Sequence, residues 1–193
     1  MASPLALIVG LGNPGREYEQ TRHNAGFWFV EALARQSNAS FKPDSKFFGE
    51  VAKIRLGSHE VWLLKPDTFM NRSGQAIAAL ARFYKISLDQ ILVAHDELDI
   101  LPGDIRLKLG GGHGGHNGLR DTITQMGGNT FLRLRIGIGH PGHSSQVTGF
   151  VLGKAPSSEQ VLIDEAIERA LKVMPLTVSG EVQKAMNELH SGK

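Results

Sequence analysis

The feature that most constrains the fold is an alternation between short apolar runs and segments with helical periodicity. Each run has the length of a strand and is closed by glycine or by polar residues. The runs are Leu5 to Val9, Ile91 to Ala94, Ile105 to Leu109 and Leu132 to Ile138. Strands that alternate with helices are typical of α/β proteins, in which helices cover a largely parallel sheet. We therefore predict an α/β fold.

Helical spacing and one hairpin complete the predicted architecture. Gly57-Ser58 separates Phe47 to Leu56 from Glu60 to Leu64, which predicts an antiparallel hairpin and hence a mixed sheet. Asn24 is a candidate helix cap, and Ser157 with Gln160 is a candidate capping box. Helices are predicted around Phe27 to Ala34, Ile77 to Tyr84, Leu119 to Met126, Val161 to Leu171 and Glu181 to His190. We expect residues 1–193 to form a single domain with a twisted mixed β-sheet flanked by helices.

Composition excludes several classes of protein. The chain has 193 residues and no cysteine, so disulfides, thiolate metal sites and cysteine nucleophiles are excluded. It shows neither a signal-peptide pattern at the N-terminus nor an apolar run near the roughly 20 residues that span a bilayer. We therefore expect a cytoplasmic protein with no membrane partner. A net charge of +2 permits a polyanionic partner without requiring one.

Two glycine-rich segments follow predicted strands. Gly10 to Gly15 satisfies G-x-G-x-x-G, the pattern of a dinucleotide-binding turn. Pro14 has no N–H to offer a phosphate, and Arg16 to His23 delay the helix that such a turn should open. We favour a rigid turn that presents Asn13, and keep a nucleotide-dependent oxidoreductase as an alternative. Gly110 to Gly118 predicts positive φ angles, a moving gate or close approach by a ligand.

Polar side chains follow the predicted strands and should meet at one rim of the sheet. They are Asn13, His23, Asn71, Asp96, His116 and Asn117. A histidine titrates near neutrality, an aspartate fixes its tautomer, and amides stabilise an oxyanion. The set therefore favours hydrolysis by an activated water. Each residue also has a structural interpretation, such as a strand end at Asp96 or a helix cap at Asn71.

Other catalytic chemistries find less support. His113 with His116, and His140 with His143, are spaced as metal ligands, but neither pair lies on a predicted helix. No G-x-S-x-G elbow indicates a nucleophilic serine. We expect His59 and His190 to be solvated, and we predict neither a metal nor a cofactor.

Basic residues recur on two predicted strands. Arg106 and Lys108 lie two apart and share a face, as do Arg133 and Arg135. Such rows neutralise phosphates, although solvated strand faces are also common. A non-enzymatic RNA-binding protein remains an alternative that leaves His23 and Asp96 without a role.

Together these segments resemble one family, the bacterial-type peptidyl-tRNA hydrolases. The resemblance runs almost end to end, in order and at family-like spacing. It is carried by Ile8 to Gly15, Thr21 to Gly26, Thr68 to Asn71, Ala94 to Asp99, Gly111 to Gly118, Leu134 to Gly142 and Phe150 to Gly153. Several motifs that agree are far more specific than one glycine pattern.

The resemblance implies a monomer that needs no metal and cuts the ester joining a peptide to tRNA. It implies that His23 activates water, that Asp96 orients His23, and that Asn71 positions the water or the scissile carbonyl. It implies that Asn13 and Asn117 hold the peptide and the tRNA 3′ end, and that His116 lines or gates the channel. The other substrate residues that it implies are Met70 and Tyr18 as channel walls, and Arg106, Lys108 and Arg135 at tRNA phosphates.

Overall fold

A seven-stranded mixed sheet forms the centre of the molecule. A computed structural model describes residues 3–192. The strands are β1 (Leu7–Gly10), β2 (Lys42–Asp44), β3 (Gly49–Leu56), β4 (His59–Pro66), β5 (Ile91–Glu97), β6 (Ile105–Leu109) and β7 (Leu132–Gly137). Their order is β2-β3-β4-β1-β5-β7-β6. The four central strands, β4, β1, β5 and β7, pair in parallel, and β2, β3 and β6 add antiparallel pairs at the two sides. The predicted mixed α/β sheet is confirmed.

Helices cover both faces of this sheet. They are α1 (Ala25–Gln36), α2 (Ser73–Phe83), α3 (Asn117–Met126), α4 (Val147–Val151), α5 (Ser157–Lys172), α6 (Met174–Ser179) and α7 (Val182–Ser191). Within residues 3–192, no helix combines the length and the apolar character needed to cross a membrane.

The side chains of each strand alternate between two apolar cores. In β5, Leu92 and Ala94 enter the core formed with α1, α5, α6 and α7, whereas Ile91 and Val93 enter the core formed with α2 and α3. The same alternation carries past the apolar part of the strand. It places Asp96 on the α1 face and His95 on the opposite face.

Close packing of α1 on β1 explains the first glycine motif. A Cβ at Gly10 would lie 2.2 Å from the carbonyl oxygen of Gly26, and a Cβ at Gly26 would lie 2.4 Å from that of Ala94. No α-helix opens directly after Gly15, because only a short 3-10 turn, Arg16–Tyr18, follows. The motif thus lets a helix approach the sheet, and it lacks the helix N-terminus that dinucleotide binding needs.

Some local predictions were wrong. Strand β2 was not predicted, because a three-residue edge strand containing proline has no alternating pattern. Asn24 precedes α1 but does not cap it; its side chain bonds the backbone N–H and C=O of Asn13 instead. The capping box at Ser157 is also absent, since Gln160 donates to Asp164.

Candidate active site

A cleft of about 570 Å³ opens at the carboxyl ends of β1 and β5. Open α/β sheets bind their ligands at this edge. The cleft is lined by all six polar residues predicted to share a rim: Asn13, His23, Asn71, Asp96, His116 and Asn117. The tertiary structure therefore brings together side chains from five separate stretches of sequence.

His23 is oriented by Asp96. Its Nδ1 atom lies 2.8 Å from Oδ2 of Asp96, and the two side chains are 13% and 2% exposed. A carboxylate at Nδ1 keeps the proton on that nitrogen, so Nε2 carries the lone pair. Burial alone would lower the pKa of His23, but the charge and hydrogen bond of Asp96 outweigh it and raise the pKa above 6.5. The pair therefore leaves the Nε2 atom of His23 without the ring proton and able to accept a hydrogen bond.

A second imidazole holds the other oxygen of Asp96. The Nδ1 atom of His116 accepts the backbone N–H groups of Gly118 and Leu119 at the start of α3. Its proton must therefore sit on Nε2, which lies 2.7 Å from Oδ1 of Asp96. Burial would raise the pKa of Asp96, but the two histidines lower it well below its usual range. Asp96 is thus a carboxylate fixed at both oxygens.

The amide of Asn13 is oriented by the backbone. Its Oδ1 accepts the N–H of Met70 at 2.7 Å, so the Nδ2 group must occupy the other position. No hydrogen bond within residues 3–192 uses that Nδ2 group. Asn13 therefore offers the cleft a donor, which suits a carbonyl oxygen or an oxyanion.

The predicted channel residues differ in their positions. Asn71 and Asn117 are exposed on the cleft wall, and Met70 lines the cleft as a buried residue. Tyr18 does not line the cleft; its ring packs edge-on against Phe69, with 6.1 Å between ring centroids. Phe69, which is 58% exposed, takes the wall position.

The predicted rows of basic residues lie side by side on one sheet face. Arg106 pairs in register with Arg135, and Lys108 pairs with Arg133, across β6 and β7. Lys108, Arg133 and Arg135 line the cleft, whereas Arg106 lies outside it and bonds Asp104. The three lining residues form a cationic arm of the cleft.

Arg133 is buried, unlike the other basic residues of these two rows. It is 3% exposed, and its guanidinium donates to the carbonyl oxygens of Gly111, Gly112 and Asn129 instead of facing solvent. It therefore anchors the glycine loop. The loop has positive φ at Gly110, Gly111, Gly114 and Gly115, as its composition predicted.

Two further residues of this face were not predicted as functional. His95 lines the cleft, donates through Nδ1 to its neighbour's carbonyl oxygen at Asp96, and has a pKa lowered by burial to about 4. Glu97 also lines the cleft and bonds Arg135. Both flank Asp96 in β5. Because side chains alternate along a strand, this pattern could have predicted that His95 and Glu97 share the sheet face opposite to that of Asp96. His190 is exposed, as expected, and also accepts the N–H of Leu107.

The possible metal ligands meet in an unpredicted combination. His113 and His140 join no group of three potential ligands within residues 3–192; the group found is His23, Asp96 and His116. Their atoms are already joined by hydrogen bonds of 2.7 and 2.8 Å. A tetrahedral zinc ion with zinc–ligand distances of about 2.1 Å would need its ligand atoms to lie about 3.4 Å from one another. The geometry therefore fits three side chains joined by hydrogen bonds better than a metal site.

The chain is similar to known proteins over its whole length. Residues 7–193 match the family model described as Peptidyl-tRNA hydrolase. The peptidyl-tRNA hydrolase of Pectobacterium atrosepticum is 60% identical over 99% of this chain and 98% of that protein. That of Colwellia psychrerythraea is 60% identical over 98% of both. The crystal structure of peptidyl-tRNA hydrolase from Acinetobacter baumannii superposes with a TM-score of 0.97 at 56% identity, covering 100% of this chain and 98% of that one.

Proposed function

The chain belongs to the peptidyl-tRNA hydrolase family, and we propose that it releases tRNA by hydrolysing the peptidyl ester with His23 as general base. The observation that carries this mechanism is the Asp96–His23 pair at the wall of the cleft. Nδ1 of His23 is occupied by Asp96, which leaves Nε2 to take a proton from water. A positioned base of this kind contributes about 10²–10⁴-fold.

Water attacks the ester carbonyl once His23 Nε2 accepts its proton. The carbonyl oxygen gains negative charge, and the Nδ2 group of Asn13 is the donor proposed to stabilise it. Asn71, exposed on the same wall, positions the water or the carbonyl. The protonated imidazole of His23 then supplies a proton to the leaving 3′-terminal ribose oxygen, so the base is restored.

The two sides of the cleft suit the two parts of the substrate. Lys108 and Arg135 offer positive charge to tRNA phosphates on one side. Asn117 and His116 border the glycine loop, where Asn117 has an amide able to bond a peptide backbone. Met70 and Phe69 provide an apolar wall for the 3′ end or the peptide. Arg106 extends the basic row beyond the cleft, and Tyr18 supports Phe69 from behind.

The reaction as proposed needs no metal or cofactor, because an ester is cleaved more readily than an amide. We propose that the protein works as a monomer in the cytoplasm, where its tRNA substrate is found. The alternative of an RNA-binding protein without catalysis gives the His23–Asp96–His116 arrangement no role.

The test is release of peptide from purified peptidyl-tRNA in the presence of EDTA, by the parent and by His23→Ala. We expect hydrolysis by the parent alone. Equal hydrolysis by both proteins would keep the activity and reject His23 as base. An inactive parent that still binds tRNA would favour the RNA-binding alternative, and a parent active only without EDTA would indicate a metal.

A further inference from the structure

Glu97 and Arg135 form an ion pair in the cationic arm of the cleft. Nε of Arg135 donates to Oε1 of Glu97 at 2.9 Å, and the side chains are 24% and 18% exposed. The other carboxylate oxygen of Glu97 accepts the backbone N–H of Asp99 at 3.3 Å. Glu97 is therefore held by its own loop while it holds one edge of the guanidinium.

Arg135 keeps its outer donors for a ligand. Within residues 3–192, neither Nη atom of Arg135 donates a hydrogen bond, whereas Arg133 is committed to loop carbonyls and Arg106 to Asp104. Lys108 Nζ lies beside the Cβ position of Gly111, at 3.1 Å, and forms no ion pair in this part of the chain. Arg135 and Lys108 are thus the basic residues of the cleft whose N–H donors remain available to a ligand.

We propose that Glu97 is a positioning residue for substrate binding: it fixes Arg135 so that the Nη edge of the guanidinium meets a phosphate of tRNA. The inference rests on the proposed function, because the ligand is the tRNA part of the substrate. A planar guanidinium held at Nε has little rotational freedom left, so the N–H donors of its two Nη atoms form a preorganised fork for phosphate oxygens.

Glu97 has a second, opposing effect on the same phosphate. Burial would raise its pKa, but the hydrogen bonds from Arg135 and from the Asp99 backbone, together with the charge of Arg135, lower the pKa, so the carboxyl remains ionised at neutral pH. A carboxylate next to a phosphate site repels the ligand. Glu97 therefore improves the geometry of binding while it limits affinity, which favours release of the tRNA product.

Two substitutions separate these effects, because both remove the same charge. Glu97→Gln keeps an oxygen that can accept from Arg135 Nε, whereas Glu97→Leu keeps similar bulk and loses the acceptor. Binding of deacylated tRNA is measured for both over a range of salt concentrations, in the parent and in an Arg135→Met background. Peptidyl-tRNA hydrolysis gives KM and kcat. Glu60→Gln, at an exposed pair with Lys53 outside the cleft, controls for net charge.

We expect Glu97→Gln to bind deacylated tRNA more tightly than the parent. Glu97→Leu should bind about tenfold more weakly than Glu97→Gln, the size of one charge-assisted hydrogen bond. The slope of the logarithm of its binding constant against the logarithm of salt concentration should be smaller than that of Glu97→Gln by the equivalent of about one phosphate contact. KM should follow these affinities while kcat is the same in the two variants. In the Arg135→Met background the difference between Gln and Leu should vanish.

Equal affinities and salt slopes for Glu97→Gln and Glu97→Leu would overturn the proposal. So would a difference that persists without Arg135, since Glu97 would then act through another group. Thermal unfolding identifies a variant that is merely misfolded, and Glu97→Gln against the parent still tests the repulsion. Failure of the parent to hydrolyse peptidyl-tRNA would instead reject the proposed function, and is seen in the same preparation.

Discussion

The Nδ1 atom of His23 lies 2.8 Å from Oδ2 of Asp96, although 73 residues separate them in the chain. The opposite oxygen of Asp96 is bonded by His116 at 2.7 Å. The carboxylate therefore cannot rotate away from His23 without breaking two hydrogen bonds. Asp96 and His116, from two other segments of the chain, thus fix the orientation of the His23 imidazole.

Asp96→Asn should lower kcat by about 10³–10⁴-fold while the fold is retained. An amide placed between two ring nitrogens can turn its NH₂ toward His23, which would put the imidazole proton on Nε2 and remove the base. Single-turnover hydrolysis of peptidyl-tRNA measures the effect, with circular dichroism as the control for folding. A loss smaller than tenfold would mean that Asp96 does not set the tautomer.

The pH dependence of kcat/KM should report His23. The base must be unprotonated, and its pKa is raised above 6.5 by Asp96, so kcat/KM should fall as pH drops, with a midpoint above 6.5. In Asp96→Asn only burial remains, which lowers the pKa, so the midpoint of the residual activity should move below 6.5. If the midpoint does not move after the substitution, the fall of kcat/KM at low pH reports the titration of another group.

Acid stability should depend on His95. Its pKa is about 4 in the folded protein because of burial and the nearby His116, against 6.5 ordinarily. Between these values the unfolded chain binds a proton that the folded chain does not, so stability is lost as pH falls from 6.5 toward 4. The contribution is about 2–3 kcal/mol between pH 6.5 and pH 4.5.

Urea unfolding of the parent and of His95→Asn at those two pH values tests this. The amide introduced by the substitution would still donate near the Asp96 carbonyl, but it does not titrate. We expect the parent to lose more stability than the variant by that amount. His23 has the opposite effect on stability and acts in another pH range. Because its pKa is raised, its contribution to stability is complete below pH 6.5 and is lost only as the pH rises above that value. Equal losses in the two proteins would show that His95 is not the titrating group.

Arg133 and Arg135 should respond differently to the same substitution. Arg133→Met removes the donors that hold Gly111, Gly112 and Asn129, and should destabilise the protein by about 2 kcal/mol or more. Amide exchange in the glycine loop should become faster. Arg135→Met removes one ion pair from the partly exposed Glu97, so it should lower the unfolding temperature less than Arg133→Met does, and it should raise KM. If Arg135→Met were the more destabilising variant and Arg133→Met the one that raised KM, then Arg135 would hold the structure and Arg133 would bind the substrate.

Much of the fold followed from the sequence, because burial and strand periodicity are local. Buried strands such as Ile91 to Ala94 must be apolar on both faces, and helices must show one apolar stripe, so the α/β architecture was predictable. Edge strand β2 was not, since three residues at the edge bury too little to leave a pattern. The same locality predicted that Arg106 and Lys108 share a face.

The sequence by itself determined which residue types stand at the strand ends, and its motifs determined the family. Only the tertiary structure decided which of them meet. The pairing of β5 with β1 and β7 places Asp96 between His23 and His116, and turns Arg133 under the glycine loop while Arg135 stays open to the cleft. Such contacts depend on strand register and loop closure across many residues, and no local pattern encodes them.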